Sequence, residues 1–431
     1  MAFTDDLLTF LKQASTPFQT VGEISKYLAQ KGFVQLAEKE KWTVKFPGKY
    51  FVVRQGSSLI AWHTSKQQNA PLHIVSGHTD APALKVRPNA AREQHGYLKI
   101  GVEIYGGLLL STWFDRALSL AGQVYFSAKG KPQAAVIDFK RPIGILPSLP
   151  IHLNREVNDR KTYQKQEELF PIIGQIKKGT SPEQAWHKIL LGQIKKQYPR
   201  LKADKVISYD LMFYPCANNI ALTGVNAEFI ASPRLDNQIS CFAAMQAITA
   251  APQKHHNIMI LTDHEECGSR SSQGADSNFL TQTLSRIWQK EDLALMLASS
   301  FLISCDNAHG VHPNYPSKYE AQHLAHLNNG PVLKTNFNQR YTTAGFSRAQ
   351  FLGLCQLAKV DAQDFVTRGD IPCGSTIGPT LAAQLGIPAT DVGVASWAMH
   401  SAVETIGTSD PLALTKVLKQ FAQKSLPSFG K

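Results

Sequence analysis

Two adjacent carboxylates, Glu265 and Glu266 in the stretch TDHEECGS, follow the apolar run NIMIL at 257–261. Side by side at the end of a buried strand they repel one another and lose hydration, so a compensating charge is expected nearby. A solvated loop would suffice for an isolated pair. Three other segments repeat the arrangement, however: LHIVSGHTDAP ends in His78 and Asp80, FLISCDNAHG in Asp306 and His309, and ATDVGVASWAMH leads to His400. Each sets a potential metal ligand just after a short apolar or β-branched run, and in open α/β sheets sites form beyond the carboxyl ends of strands. Convergence of these donors predicts one polynuclear metal centre.

A two-metal hydrolase needs divalent cations about 3.5–4 Å apart, bridged by a carboxylate and a water, each with further oxygen or imidazole ligands. It also needs a nearby carboxylate that takes the proton from the water. The chain supplies His78, Asp236, Glu266, Asp306 and His400 as ligands, leaving Glu265 as the base and Asp80 to orient the His78 imidazole. Spacing alone does not establish the set, because the donors span most of the chain. Asp236, in SPRLDNQISCF, would also suit the capping position of a helix.

The elements that must position these residues are legible in outline. Two helices are expected over residues 5–31, the second ending at Gly32, followed by a three-stranded meander over KWTVKFPGKYFVVRQGSSLIAWHT, residues 41–64. From about residue 88 the texture changes to alternating strands such as GYLKIGVEIYGG and KVISYDLMFYP, with one charged helical segment at about 181–197. Residues 88–227 therefore read as a β-rich domain inserted into an α/β one made of 1–87 and 228–431. Residues 232–251 carry Ile239, Phe242, Met245 and Ile248 on one helical face. Asp410 and Pro411 read as cap and first-turn proline of the last helix. Alternating strands and helices favour a layered α/β domain with a mainly parallel central sheet.

Composition narrows the function. The chain has 431 residues, enough for two domains, and an apolar content of 43% that suits an ordinary globular protein. No run approaches the roughly 18 apolar residues of a membrane span, and MAFTDDLLTFLKQ carries acids where a secretory signal would be basic, so a cytoplasmic protein is expected. The six cysteines are widely spaced with no CxxC pair, which disfavours a thiolate zinc site or a disulfide framework; Cys267 and Cys305 beside the ligands read as buried small side chains. A net charge of +12, concentrated in 155–205, raises nucleic-acid binding as a rival, but few aromatics interleave the lysines and a solvated helical face explains them. The absence of a GxSxG elbow disfavours a serine hydrolase.

The motifs GHTDAP (77–82), YGG with TWFDR (105–116), IHLNREVN (151–158), SPRLDN (232–237), HEECGS (264–269), DNAHGVHPNYPSKYE (306–320), LNNGPVLKTNFNQRYTT (327–343) and PCGSTIGPTLA (372–382) resemble the aspartyl aminopeptidase family, collinearly and over almost the whole chain. The resemblance implies a two-zinc exopeptidase acting on peptides with free, preferably acidic, N-terminal residues. Asp236 would bridge the metals, His78 and Asp306 would complete one site, and Glu266 and His400 the other, with Glu265 as general base and Asp80 as orienting carboxylate. His152 matches the histidine that reaches a neighbouring subunit's site; His309, Lys334 and Tyr341 match substrate contacts. The family assembles as dodecamers built from dimers, through contacts of the inserted domain. Three strings differ from the family's usual forms: MHSAVET for MHSIRE, HEECGS for NEEVGS, and FVTRGD for a VRND-like string. None removes a ligand, but they bear on substrate preference. Manganese or cobalt could replace zinc in so carboxylate-rich a set. The alternatives are a two-metal aminopeptidase of broader specificity, or a nucleic-acid-binding or cage protein without catalysis; the presence of Glu265 and all five ligands argues against the last.

Overall fold

In the computed structural model, which describes residues 2–216, 219–250 and 255–424, the apolar runs that precede the candidate ligands become neighbouring strands. Leu72–His78, His256–Thr262 and Phe301–Cys305 are buried along their whole lengths. Continuous burial is what a parallel sheet covered on both faces requires, and it is why these strands read as largely apolar runs, broken only by buried polar residues such as His73, Ser76 and Ser304. With Ala389–Gly393 they form four consecutive parallel strands at the centre of a nine-stranded sheet. Antiparallel neighbours, Ser58–Thr64 and Val332–Thr335, flank this parallel centre.

Successive strand residues point to opposite faces. Accordingly Val75, Met259, Leu261 and Ile303 join one apolar cluster with residues of the helices Ala2–Gln13, Pro17–Gln30, Leu235–Ala250, Gly345–Ala358 and Asp410–Gln423. Ile74, Ile258, Ile260 and Leu302 join another with residues of Phe279–Ile287, Lys290–Leu297 and Gly378–Leu385. The fold is mixed α/β.

The chain divides into two compact units, the first comprising Met1–Ala81, Ile220–Met399 and Glu404–Lys431, the second Pro82–Asn219 and His400–Val403. The second holds a six-stranded antiparallel sheet and the helix Pro182–Gln197, which buries Trp186, Leu190 and Ile194 while Lys188, Lys195 and Lys196 face solvent. The basic segment is thus, along this helix, a solvated face. The structure draws the division at Pro82 and Asn219 where sequence texture suggests 88 and 227. Ala83–Gln94 pairs with Tyr97–Tyr105 and Lys205–Pro215, whereas Ala221–Thr223 and Phe229–Ser232 pair within a five-stranded sheet of the first unit. Alternation is common to all these strands and does not say which sheet receives them.

Two local expectations are corrected. The meander is a two-stranded hairpin, Gly48–Arg54 with Ser58–Thr64, whose outer neighbour is the parallel strand Val34–Leu36. Around Lys45 the polar backbone groups go to side chains: its N–H donates to Tyr50 Oη at 2.8 Å and its carbonyl accepts from Thr64 Oγ1 at 2.6 Å. Pro411 does open the last helix, but the Asp410 carboxylate accepts from the N–H groups of Asn328 at 2.7 Å and Gly330 at 2.9 Å. It pins a distant turn instead of capping its own helix. No described helix is long and apolar enough to cross a membrane.

Candidate metal centre

His78 is the last residue of its strand, Asp306 follows the next parallel strand directly, and the Glu265–Glu266 doublet follows the strand on the other side. Parallel register therefore brings three sequence-distant segments to one edge of the sheet. Asp306 is held there by its N–H bond to Val392 O at 2.8 Å. Its carbonyl runs so close to Gly393 that a Cβ at that position would lie 1.9 Å from it, which only glycine permits.

Asp236 arrives from the opposite direction. Its φ/ψ of −81°/106° is not helical, so it stands at the mouth of the helix Leu235–Ala250. That helix is docked on the strand ends by polar groups. Asn237 Nδ2 donates to Cys305 O at 2.8 Å, Gln238 Nε2 to Thr79 O at 2.8 Å and Cys241 Sγ to His78 O at 3.0 Å. Burial pushes the Cys241 thiol up to about 12 and that of Cys305 up as well, so neither offers a thiolate at neutral pH. Cys267 is exposed, contrary to the expectation that both cysteines beside the ligands are buried; Cys305 is buried. The one-turn segment Glu265–Cys267 leaves it on the outer surface. No cysteine among the described residues forms a disulfide.

The His78 ring is buried, and its Nδ1 lies 3.1 Å from Asp80 O and 3.4 Å from Asp80 Oδ1. Donation from Nδ1 turns Nε2 toward Asp236 Oδ1 at 3.3 Å and Asp306 Oδ1 at 3.5 Å. His78, Asp236 and Asp306 thus offer ligand atoms within 4.8 Å of one another, as do His78, Glu265 and Glu266. Asp236 and Glu266 lie within the same distance. Asp80 also acts on the backbone, its Oδ1 and Oδ2 accepting the N–H groups of Glu265 at 3.2 Å and Glu266 at 3.1 Å. Between the left-handed His264 and Gly268, this clamp fixes the turn that carries the doublet.

Electrostatics favour a cation at this edge. Burial pushes the Glu265 carboxyl up to about 8, with the charges of Asp306, Asp80 and Asp236 adding to the rise against the opposing effect of His78. Burial by itself would lower His78, but hydrogen bonds to Asp236, Asp306 and Asp80 outweigh it and hold the ring well above its ordinary value. Lys334 is buried too; it donates to Asp306 Oδ2 at 3.0 Å and Asn307 O at 3.1 Å. Even with Lys334 and a protonated His78, the acidic groups Asp80, Asp236, Glu266 and Asp306 outnumber the cations. An imidazole with carboxylate oxygens is a donor set for zinc or a similar divalent ion. The residues fit the group.

Protonation gives a test. In the metal-free protein the carboxylates of Asp236, Asp306 and Asp80 favour the protonated form of His78, and the ring must lose that proton to bind a metal. Zinc binding at pH 7 is expected to release at least one proton and to weaken as pH falls. Calorimetry in buffers of different ionisation enthalpy measures this, and a heat independent of buffer would contradict it.

The remaining expected residues lie as follows. Tyr341 is buried with Lys334 Nζ 5.0 Å from its ring centroid. His309 is exposed on a two-residue strand and makes an edge contact with Phe365 at 5.8 Å. His152, on a short 3-10 turn, and His400 belong to the second unit, where His400 Nδ1 lies 3.1 Å from Gly107 O. Two buried acids escape sequence reading. Asp391 accepts from Thr342 N at 2.6 Å, Thr342 Oγ1 at 2.9 Å and Thr376 Oγ1 at 2.7 Å, tying the Tyr341 loop to the 373–378 loop. Glu404 accepts from Asp236 N at 2.8 Å. Their partners are far away in the chain, and no local pattern announces them.

Comparison with known proteins gives a consistent picture. The family described as Aminopeptidase I zinc metalloprotease (M18) matches residues 10–422. A "Probable M18 family aminopeptidase 2" of Pseudomonas syringae pv. syringae (strain B728a) is 43% identical over 425 residues, covering 98% of each chain. Among solved structures, a chain of the Ape4 and Nbr1 complex superposes with a TM-score of 0.93 at 35% identity, covering 97% of this chain and 85% of that one. The S. cerevisiae mApe1 dodecamer superposes with a TM-score of 0.83 at 24% identity, covering 97% and 96%. With a family match from near one end to the other, and a 43%-identical relative covered over 98% of its length, this chain belongs to the M18 family of zinc aminopeptidases, hydrolases that act on peptides.

Proposed function

We propose that the chain removes N-terminal residues, acidic ones by preference, from peptides, using two divalent ions held by His78 and Asp306 on one side, Glu266 and His400 on the other, and Asp236 between them. The observation that carries this reading is the gathering of His78, Asp236 and Asp306 within 4.8 Å, with Glu265 and Glu266 equally close to His78. Zinc is the ion the family implies, and manganese or cobalt can substitute in a carboxylate-rich set. When bound, such ions supply Lewis-acid activation of a water and polarisation of the scissile carbonyl.

The chain's own residues do the rest. Glu265, half-buried and clamped through its N–H by Asp80, takes the proton from the attacking water and delivers it to the leaving amine. Asp80 keeps the His78 ring turned so that Nε2 faces the carboxylates. His309, Lys334 and Tyr341 serve the substrate side, as the family resemblance implies, and His152 serves the site of a neighbouring subunit. The assembly is a homo-oligomer, a dodecamer built from dimers as the family resemblance implies, with the second unit contributing contacts; the solved S. cerevisiae structure is likewise described as a dodecamer.

A chelator-treated sample offered Asp-, Glu-, Ala- and Leu-linked chromogenic amides, with zinc, manganese and cobalt restored singly, tests this reading. Cleavage of the Asp and Glu amides well above the others is expected. Equal rates on all four would reduce it to a broad aminopeptidase, and no cleavage with any ion would overturn it.

A further inference from the structure

Glu404 is 1% exposed, on a strand that lies in the first unit, and its Oε2 accepts the N–H of Asp236 at 2.8 Å. We propose that Glu404 is a positioning residue for the metal centre, fixing the backbone of Asp236 and through it the direction in which the Asp236 carboxylate points. The inference rests on the reading of Asp236 as a metal ligand given under Proposed function.

The geometry supports it at three points. Asp236 is itself 3% exposed and sits where the strand Phe229–Ser232 gives way to the helix Leu235–Ala250. N–H groups at a helix start have no intrahelical acceptor, so whatever accepts them decides how the chain enters the helix. Glu404 occupies that place from a fixed frame: its strand pairs with Phe229–Ser232, with Glu404 opposite Ser232. The acceptor and the residue it holds are thus separated by one short turn anchored on a shared ladder. Finally, a buried N–H donating to a carboxylate is a charge-assisted bond, stronger than one to a neutral group. It holds Asp236 with Oδ1 3.3 Å from His78 Nε2. Asp80 does the same for Glu265 and Glu266 from the other side, so ligand-bearing turns on both sides of the centre are held through backbone N–H groups.

The test uses metal-free full-length protein and cobalt(II), with affinity measured by competition against a chromophoric chelator and geometry by the visible spectrum of the bound cobalt. Glu404→Leu is expected to weaken cobalt binding by about 10–100-fold, the range seen when such supporting partners are lost, and to alter the spectrum. Glu404→Gln keeps a carbonyl acceptor and is expected to restore both toward the unaltered protein, which a merely structural loss would not do. Asp236→Asn is the control. If it weakens binding while Glu404→Leu binds with unchanged affinity and spectrum, Glu404 has no positioning role and the ligand reading stands. If Asp236→Asn binds as the unaltered chain does, the ligand reading fails and this inference with it. Should Glu404→Leu fail to fold in a thermal melt, Glu404→Asp decides: its shortened carboxylate is expected to weaken binding, and normal binding would overturn the proposal.

Discussion

Glu265→Gln is expected to lower turnover by roughly two to four orders of magnitude, the usual contribution of a general base, while the bound metal remains in place. The substitution is isosteric and leaves the N–H of residue 265 on Asp80 Oδ1, so the turn keeps its shape. What disappears is the ability to accept a proton. Glu265 is suited to that role by its surroundings: burial, with the neighbouring acids, pushes its carboxyl up to about 8 in the metal-free protein. Divalent charge beside it would pull the group back down and leave a base near neutrality. Metal content by elemental analysis, measured alongside kcat, separates a lost base from a lost ion. A variant with full metal and near-normal kcat would remove Glu265 from the mechanism.

Lys334→Met is expected to destabilise the metal-free protein by about 3–5 kcal/mol, because removing one member of a buried ion pair strands the other. The Lys334 and Asp306 side chains are only 2% and 14% exposed, so solvent cannot take over the role of the partner. Burial by itself would lower the Lys334 ammonium, but the charges of Asp306 and then Asp391 hold it above its ordinary value, so it stays cationic throughout the working range. Added zinc should recover part of the loss by neutralising Asp306 in its place. Denaturant melts with and without metal measure both effects; a stability equal to that of the unaltered chain would show that the pair contributes nothing. The same variant separates two roles in catalysis. Equal losses on acidic and neutral substrates mean that Lys334 acts through Asp306, whereas a larger loss on acidic ones means that it also meets the substrate's carboxylate.

This second result bears on what sequence reasoning reaches. Lys334 is placed among substrate contacts by the motif around it, yet its Nζ lies on Asp306 and Asn307. A motif reports that a residue belongs to a site; it does not report which atom the residue touches. The strand ends show the opposite case. His78, Glu265, Glu266 and Asp306 are legible because a strand buried on both faces is written as a largely apolar run, and acids or imidazoles placed just after such a run lie at the sheet edge. Parallel pairing then brings all such ends to one side.

The strand runs, the ligand types at their ends and the family are written in the chain itself, since burial demand and chemical function are local properties of residues. Folding in three dimensions was needed to reveal that Asp80 holds two backbone N–H groups as well as a ring, that Asp410 pins a turn 80 residues away, that Glu404 accepts the N–H of Asp236, and that Asp391 ties Thr342 to Thr376. Those are contacts between segments whose sequences carry no mark of each other. Hydrogen bonds form between whatever groups the packing of apolar faces brings together, and that packing is a property of the whole chain.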